Sequence, residues 1–227
     1  MINDALKALK DGKVILLYDF DNREKETDFA ILSSAVTPET IRMFRKDGGG
    51  LICTAISGAA AAAFGLPFAS DALKFSGDIV EKEGDVPYDR MNHSSFSLWV
   101  NHRDTYTGVT DRDRALTVTS IARQVENFTN RVPGPKFSEE FRTPGHMALL
   151  RAADKLLDQR RGQTELSVAL AEMLGVPPAI TICEMMADTG YALDKEGAKA
   201  YAREHGLVFI EGQEVLDAWE QRKSHSS

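Results

Sequence analysis

The sequence has few cysteines, no long apolar run and no long basic run. Only Cys53 and Cys183 occur among its 227 residues, and both lie in apolar stretches rather than in a C-x-x-C pair. We interpret them as buried, reduced thiols of a cytoplasmic protein. No apolar stretch reaches the roughly 18 residues that span a bilayer. The first residues lack the basic start and apolar centre of a signal peptide, so we expect no membrane association.

The charge balance argues against binding to nucleic acid. The chain carries 27 Lys and Arg residues against 34 Asp and Glu residues, for a formal net charge of −7. Proteins that bind nucleic acid depend on basic surfaces that neutralise phosphates. A strongly anionic small ligand would therefore need a local cationic pocket.

Length and composition predict one soluble domain. Hydrophobic residues make up 43% and charged residues 27% of the chain, which is ordinary for a globular protein. A chain of this length stays within the size that one core supports. We predict a single domain over residues 1–223 and a frayed tail at 224–227.

Short apolar runs alternate with helical patterns, which predicts an α/β fold. Strands are expected at 14–18, 29–36, 51–56, 96–100, 147–150, 179–186 and 207–210. Helices are expected to start after Thr37 and Asp194, both typical capping residues. Residues 75–92 show no clear periodicity, and the strand order is left open.

The most charged segment runs from Asp19 to Asp28. It contains five carboxylates, on Asp19, Asp21, Glu24, Glu26 and Asp28, together with the cations Arg23 and Lys25. A solvated loop is one interpretation. The alternative is a magnesium site, because carboxylates so close together repel unless a cation joins them, and Mg²⁺ prefers oxygen ligands.

Four other segments contain candidate functional residues, each with a structural alternative. The arginines and Gly162 before Thr164 predict either a phosphate site at a helix start or a simple capped helix. Thr107 lies in a turn that either binds sugar hydroxyls or phosphate or is only a turn. Glu184 closes an apolar run, as either a general acid or base or a salt-bridged strand end. His146 follows Pro-Gly in a predicted turn, where it is a possible acid, base or ligand.

Taken in order, these segments resemble the 3,4-dihydroxy-2-butanone 4-phosphate synthase family of riboflavin biosynthesis. The matching stretches are residues 18–19, 23–28, 49–55, 101–103, 107–110, 141–146, 162–165 and 182–186. They span almost the whole chain, and the length is similar to that of the single-domain members.

The resemblance implies a fold and a reaction. The fold is a three-layer α-β-α domain with a mixed sheet, assembled as a homodimer with active sites near the subunit interface. The implied enzyme is a lyase that converts ribulose 5-phosphate to the four-carbon phosphate and formate through enolisation, rearrangement and formate loss. It uses Mg²⁺ or Mn²⁺, as two ions, and no organic cofactor.

The resemblance also implies a role for each candidate residue. The metal ligands are Glu24 and Gln163. The catalytic residues are Glu26, Asp28, Cys53, His146 and Glu184. The substrate-binding residues are Asp19, Asp21, Arg23, Asp28, Thr107, Arg160, Gly162, Thr164, Glu165 and Glu184.

One position departs from the family pattern. Gln163 stands where the family has a metal-binding histidine, and an amide oxygen neither titrates near neutral pH nor suits softer metals as imidazole does. His146 is a possible substitute for that histidine. The departure keeps two alternatives open, namely a catalytically weak paralogue that binds sugar phosphate and another magnesium-dependent sugar-phosphate lyase or isomerase. Retention of the carboxylates favours the active synthase.

Overall fold

A seven-stranded mixed sheet forms the centre of the computed structural model, which describes residues 1–226. The strand order is β4-β5-β3-β6-β2-β1-β7. The strands are β1 (Ile15–Tyr18), β2 (Thr27–Leu32), β3 (Cys53–Ile56), β4 (Phe96–His102), β5 (Phe141–Arg151), β6 (Ala179–Glu184) and β7 (Val208–Glu211). The pairs β1–β7 and β3–β5 are parallel, and the other neighbours are antiparallel. The predicted α/β class and mixed sheet are confirmed.

Nine helices surround this sheet within the described chain. They are α1 (Ile2–Lys10), α2 (Pro38–Asp47), α3 (Gly58–Ala63), α4 (Ala69–Ala72), α5 (Asp111–Thr129), α6 (Phe137–Glu140), α7 (Gln163–Leu174), α8 (Lys195–His205) and α9 (Gly212–Ser226). Short 3-10 turns occupy Ser33–Ala35, Gly77–Ile79 and Leu156–Asp158.

The helices cover both faces of the sheet and so form three layers. On one face, buried side chains of α1, α7 and α9 pack against alternate strand residues such as Leu17 and Ile182. On the other, α2, α5 and α8 pack against the intervening residues, such as Leu16 and Phe29. Burial on both faces explains why the central strands are continuous apolar runs rather than alternating ones. The predicted three-layer arrangement is confirmed.

Helices α2 and α8 begin at the capping residues that the sequence predicted. The Thr37 hydroxyl accepts a hydrogen bond from the Thr40 amide, and Pro38 occupies the first turn of α2. Asp194 caps α8 through the Gly197 amide. Gly175 ends α7 in the left-handed conformation, a conformation that glycine adopts without steric cost.

Several boundaries differ from the predictions. The strand expected at 29–36 ends at Leu32, where a 3-10 turn begins. Helix α9 continues to Ser226, through most of the expected tail, and Ser227 lies outside the described residues. Within residues 1–226, no helix is both long and apolar enough to cross a membrane.

The prediction of a turn at Arg142 to His146 was wrong, because this segment lies inside β5. The pairing with β4 shifts between Val100–Met147 and Asn101–Arg142, so residues 143–146 bulge out of the ladder. A Cβ atom on Gly145 would lie 2.0 Å from the Val100 carbonyl carbon. Glycine therefore lets the bulge pass close to β4, and the Pro-Gly pair marks an irregular strand rather than a loop.

Candidate active site

Three neighbouring strands bring together acidic and thiol side chains at one end of the sheet. Asp28 of β2 is paired with Glu184 of β6, and Cys53 of β3 is paired with Ile182. They line a cavity of about 100 Å³, which we name the carboxylate cavity. Its full lining is Glu24, Asp28, Cys53, Tyr88, Ser94, Ser95, Phe96, Leu150, Arg160, Gln163, Thr164, Ile182 and Glu184.

The segment between β1 and β2 is folded around Asp19. One carboxylate oxygen of Asp19 accepts the Glu24 amide at 2.9 Å, and the other accepts the Glu26 amide at 3.1 Å. The Asp19 side chain is fully buried, and Asp19 is absent from the cavity lining. Its geometry therefore fits a residue that shapes the loop and presents Glu24, rather than one that contacts a ligand.

Asp21 points away from the carboxylate cavity. Its carboxylate accepts the Tyr18 hydroxyl at 2.8 Å and pairs with the Lys195 ammonium at 2.8 Å. The side chain is 77% exposed. Asp21 thus links the exposed end of the loop to the start of α8. It does not lie with the other candidate site residues.

The carboxylates that line the cavity differ in their partners, since Glu24 pairs with Arg23 Nη1 at 2.9 Å while Asp28 has none within residues 1–226. Both oxygens of Asp28 are buried, with no hydrogen-bond partner in the described chain. Burial, together with the charges of Glu184 and Glu24, raises the pKa of Asp28 well above its usual value. Burial also raises the pKa of Glu184, and burial with the nearby Glu24 charge raises the pKa of Glu26 to about 7. The site therefore holds protons at neutral pH or requires an added cation.

Cys53 forms part of the wall as a neutral thiol. It is 3% exposed, and burial, followed by the charges of Glu184 and Asp28, raises its pKa well above the usual value. A thiolate is the nucleophilic form of cysteine, so this environment does not favour nucleophilic chemistry.

Two arginines meet at the start of α7. Gly162 precedes the helix, and a Cβ there would lie 2.1 Å from Arg160 Nη1 and 2.9 Å from Arg23 Nη2. Both side chains are about nine-tenths buried. Arg23 Nη2 and Arg160 Nε have no hydrogen-bond partner among residues 1–226. Each guanidinium is otherwise paired, Arg23 Nη1 with Glu24 Oε2 at 2.9 Å and Arg160 Nη1 with Glu165 Oε2 at 2.6 Å. The N–H groups that remain without a partner, beside a helix start, suit the binding of an anion.

Arg160 is held by a buried glutamate. Its Nη1 donates to Glu165 Oε2 at 2.6 Å, while Glu165 Oε1 accepts the Ala153 amide at 3.0 Å. Glu165 is fully buried. Its oxygens are occupied by these contacts, so Glu165 orients Arg160.

A second cavity adjoins the first across Arg160 and Tyr88. It measures about 370 Å³, and Arg23, Arg160 and Arg161 all lie on its wall. We name it the arginine cavity. Carboxylates thus surround one end of the combined space, and guanidinium groups surround the other.

Gln163 is oriented by the backbone. Its Nε2 donates to the carbonyls of Leu17 at 2.9 Å and Glu26 at 3.2 Å. Its Oε1 is buried without a partner in the part of the chain that the structure describes, and the residue lines the carboxylate cavity. With both N–H groups committed, the amide has only its oxygen left for a ligand.

Sequence reasoning missed Tyr88, Ser94 and Ser95, which come from the region without periodicity. The Tyr88 hydroxyl bonds to Glu24, and burial and that charge raise the pKa of Tyr88 to about 12. Arg23 stacks over the Tyr88 ring at 5.0 Å. The only sequence signal was an aromatic residue next to two charged ones, Asp89 and Arg90. Because this backbone is irregular, no periodic pattern predicts where the Tyr88 side chain lies.

Thr107 and His146 lie outside both cavities. The Thr107 amide donates to Asp113 Oδ2 at 3.2 Å, in the turn that leads into α5. The His146 amide donates to Asn101 Oδ1 at 2.8 Å, next to the edge strand β4. Both residues are exposed, so a single chain does not bring them to the other candidates.

Among the described residues, no group of three or more histidine, cysteine or acidic side chains could hold a metal ion. Magnesium, however, usually takes only one or two protein carboxylates and completes its shell with water and ligand oxygens. The carboxylate cavity offers oxygen donors of that kind.

Comparison with known proteins decides the family. The protein-family model described as 3,4-dihydroxy-2-butanone 4-phosphate synthase matches residues 3–218 of this chain. The chain belongs to this synthase family.

Relatives of similar length carry the same description. The 3,4-dihydroxy-2-butanone 4-phosphate synthase of Methanosarcina acetivorans is 52% identical over 226 residues, which cover 96% of this chain and 90% of that protein. The synthase of Archaeoglobus fulgidus is 51% identical, with 94% and 92% covered. The riboflavin biosynthesis protein RibBA of Bacillus subtilis is 33% identical, and the match covers 95% of this chain but 48% of that protein.

Solved structures of synthases share the fold. The Candida albicans synthase superposes with a TM-score of 0.75 at 27% identity and covers 96% of both chains. A synthase solved in complex with two magnesium ions superposes with a TM-score of 0.78 at 24% identity, with 98% of this chain and 97% of that one covered.

Proposed function

We propose that this protein converts D-ribulose 5-phosphate to L-3,4-dihydroxy-2-butanone 4-phosphate and formate, in riboflavin biosynthesis. The proposal rests on one observation, the separation of acidic and basic side chains between the two adjoining cavities. A cavity walled by Glu24, Asp28 and Glu184 opens beside a cavity walled by Arg23 and Arg160. A phosphorylated sugar has the matching polarity, with an anion at one end and hydroxyl and carbonyl groups at the other.

The phosphate would bind at the start of α7. Arg23 and Arg160 supply charge, and the first-turn amides after Gly162 point outward from the helix. Thr164 lines the carboxylate cavity at the same helix start. The carbon chain would extend from there toward Asp28 and Glu184.

A divalent cation fits the carboxylate cavity. Asp28 and Gln163 present buried oxygens that lack partners in the described structure, and Glu24 supplies a carboxylate. Glu24 and Gln163 would hold the metal, as Mg²⁺ or Mn²⁺ and as two ions, with no organic cofactor. The bound metal supplies Lewis-acid stabilisation of negative charge on the sugar oxygens.

The chain's own carboxylates would move the protons. Enolisation requires a base at C3 of the sugar, and Glu184 lies at the strand end with a raised pKa. Asp28, whose pKa is raised well above its usual value, and Glu26, with a pKa of about 7, can each hold a proton at neutral pH. These groups would return protons to sugar oxygens during the rearrangement that ends in formate loss.

We further propose a cytoplasmic homodimer with its active sites near the interface. Thr107 and His146 are exposed beside the edge strand β4, and nearby Trp99, Tyr106 and Val109 are also exposed. Apolar side chains around an unpaired sheet edge favour a protein–protein contact. Thr107 and His146 would then contribute to the site from this contact surface.

Formate release tests the proposal. Purified protein with ribulose 5-phosphate and Mg²⁺ should produce formate, and Glu184→Gln should reduce the rate by about 10²-fold or more, the lower range for a lost general acid or base. Glu196→Gln, an equal change on the exposed face of α8, should retain the wild-type rate. Absence of formate from the wild type would overturn the proposal.

A further inference from the structure

Arg160 has a second acidic neighbour besides the glutamate that orients it. Asp89 Oδ2 lies 3.7 Å from Arg160 Nε, and the two side chains are only 13% and 10% exposed. This distance makes an ion pair, yet it is too long for a hydrogen bond. Arg160 Nε indeed has no hydrogen-bond partner within residues 1–226.

Local contacts fix the Asp89 carboxylate in this place. The Asn92 Nδ2 donates to both of its oxygens, at 3.0 and 3.2 Å, and the Met91 amide donates to Oδ1 at 3.3 Å. The neighbouring Tyr88 is held under the Arg23 guanidinium. The carboxylate is thus presented to Arg160 by its own turn.

Asp89 is not needed to neutralise Arg160. Glu165 already does so, at 2.6 Å and with full burial. The arginine cavity is lined by Arg23, Arg160 and Arg161 and by the acids Asp89 and Asp158. Arg23 has its own acidic partner in Glu24, at 2.9 Å. Asp89 is therefore an additional anion, and it lies where a ligand phosphate would accept a hydrogen bond from Arg160 Nε.

We propose that Asp89 is an internal competitor for the phosphate position, which a phosphate ester must displace from Arg160 in order to bind. The inference rests on the proposed function only in taking the ligand to be a phosphate ester. Displacement costs the same for every phosphate ligand. Weakly held anions, such as inorganic phosphate, therefore bind poorly in competition with Asp89. A ligand that is also held at the carboxylate cavity still binds. The same competition would favour release of a phosphorylated product.

Calorimetric titration with inorganic phosphate tests the competitor. Asp89→Asn keeps the size and the contacts that Oδ1 accepts from Asn92 and the Met91 amide, while it removes the charge. It should bind phosphate up to about 5-fold more tightly than the wild type, the upper range for an ion pair of this kind. Asp71→Asn, the same change at an exposed position of α4, should bind like the wild type. Unchanged or weaker binding in Asp89→Asn, equal tightening in Asp71→Asn, or no phosphate binding by either form would overturn the inference.

A second background tests whether Asp89 acts through Arg160. Arg160→Ala would leave the buried Glu165 charge without a partner. Both charges are therefore removed together in the double variant Arg160→Met/Glu165→Gln, and thermal melting checks its fold. Asp89→Asn should have no effect on phosphate binding there, and tightening in that background would overturn the inference. The formate assay separates the two proposals, because formate with unchanged phosphate affinity contradicts only the competitor, while tighter phosphate binding without formate contradicts only the synthase activity.

Discussion

At the scale of single residues, backbone geometry and hydrogen bonding decide what each acidic or amide side chain can do. Asp19 and Asp28 are the same residue type nine positions apart, but Asp19 accepts loop amides while both Asp28 oxygens lack partners in the described chain. The sequence predicted an acidic site but could not divide its members into those that shape the loop and those that face the cavity.

Lys25 illustrates a backbone constraint inside the acidic loop. Its φ of 62° is in the left-handed region, which costs a residue with a side chain about 1 kcal/mol or more. Lys25→Gly should leave the free energy of unfolding unchanged or raise it by a few tenths of a kcal/mol, whereas Lys25→Val should lower it by about 1 kcal/mol or more. Chemical denaturation measures both changes, and equal stability of the two variants would contradict the assigned conformation.

Gln163 is the residue where this chain departs from the family pattern. Because its N–H groups are held by the Leu17 and Glu26 carbonyls, any metal contact is through oxygen. Gln163→His should strengthen Mn²⁺ or Zn²⁺ binding relative to Mg²⁺, since imidazole suits these ions better. Calorimetric metal titration measures the shift without any turnover. An unchanged order of metal affinities would show that Gln163 is not at the metal.

At the scale of secondary-structure elements, the start of α7 carries the anion site. Gly162→Ala places a methyl group within 2.1 Å of Arg160 Nη1, so the flexible guanidinium must move. Gly162 is the N-cap of α7, where alanine is less favourable than glycine, and the movement disturbs the buried Arg160–Glu165 pair. The melting temperature should therefore fall modestly. The KM for ribulose 5-phosphate should rise about 10-fold or more, which corresponds to loss of one charge-assisted hydrogen bond. A KM equal to that of the wild type would place the phosphate elsewhere.

The elements that the sequence predicted well are those with a strong local signal. The buried strands β1, β3 and β6 are apolar runs, and α2, α7 and α8 carry capping or terminating residues. Strand order depends on pairing between distant segments, which no local pattern encodes. The segment with Tyr88 and Asp89 is irregular backbone, so its contribution to the site became visible only from the fold.

At the scale of the whole molecule, the buried carboxylates make metal-free stability depend on pH. Glu26, Asp28 and Glu184 have folded-state pKa values above their unfolded ones, so the folded protein binds more protons than the unfolded chain. For Glu26, with a folded-state pKa of about 7, this holds between about pH 4 and pH 7. Stability contributed by these groups is therefore present at low pH and lost as the pH rises through that window. The melting temperature of protein in a chelator should fall from pH 5 to pH 8.

Magnesium and one substitution provide the controls for this pH dependence. Mg²⁺ should raise the melting temperature more at pH 8 than at pH 5, because only the ionised carboxylates bind it. Asp28→Asn removes one buried charge and should flatten the decline in the chelator. A melting temperature that rises from pH 5 to pH 8 without metal would contradict the account of the cavity.

In the proposed reaction, one ligand spans the carboxylate and arginine cavities and is cleaved there to formate. The most direct measurement is the stoichiometry of formate to ribulose 5-phosphate consumed by the unmodified protein with Mg²⁺, with the phosphorylated product identified by mass. We expect one formate and one four-carbon phosphate for each sugar phosphate consumed, and no turnover in excess chelator. Consumption without formate, or a five-carbon phosphate as the product, would contradict the proposed reaction.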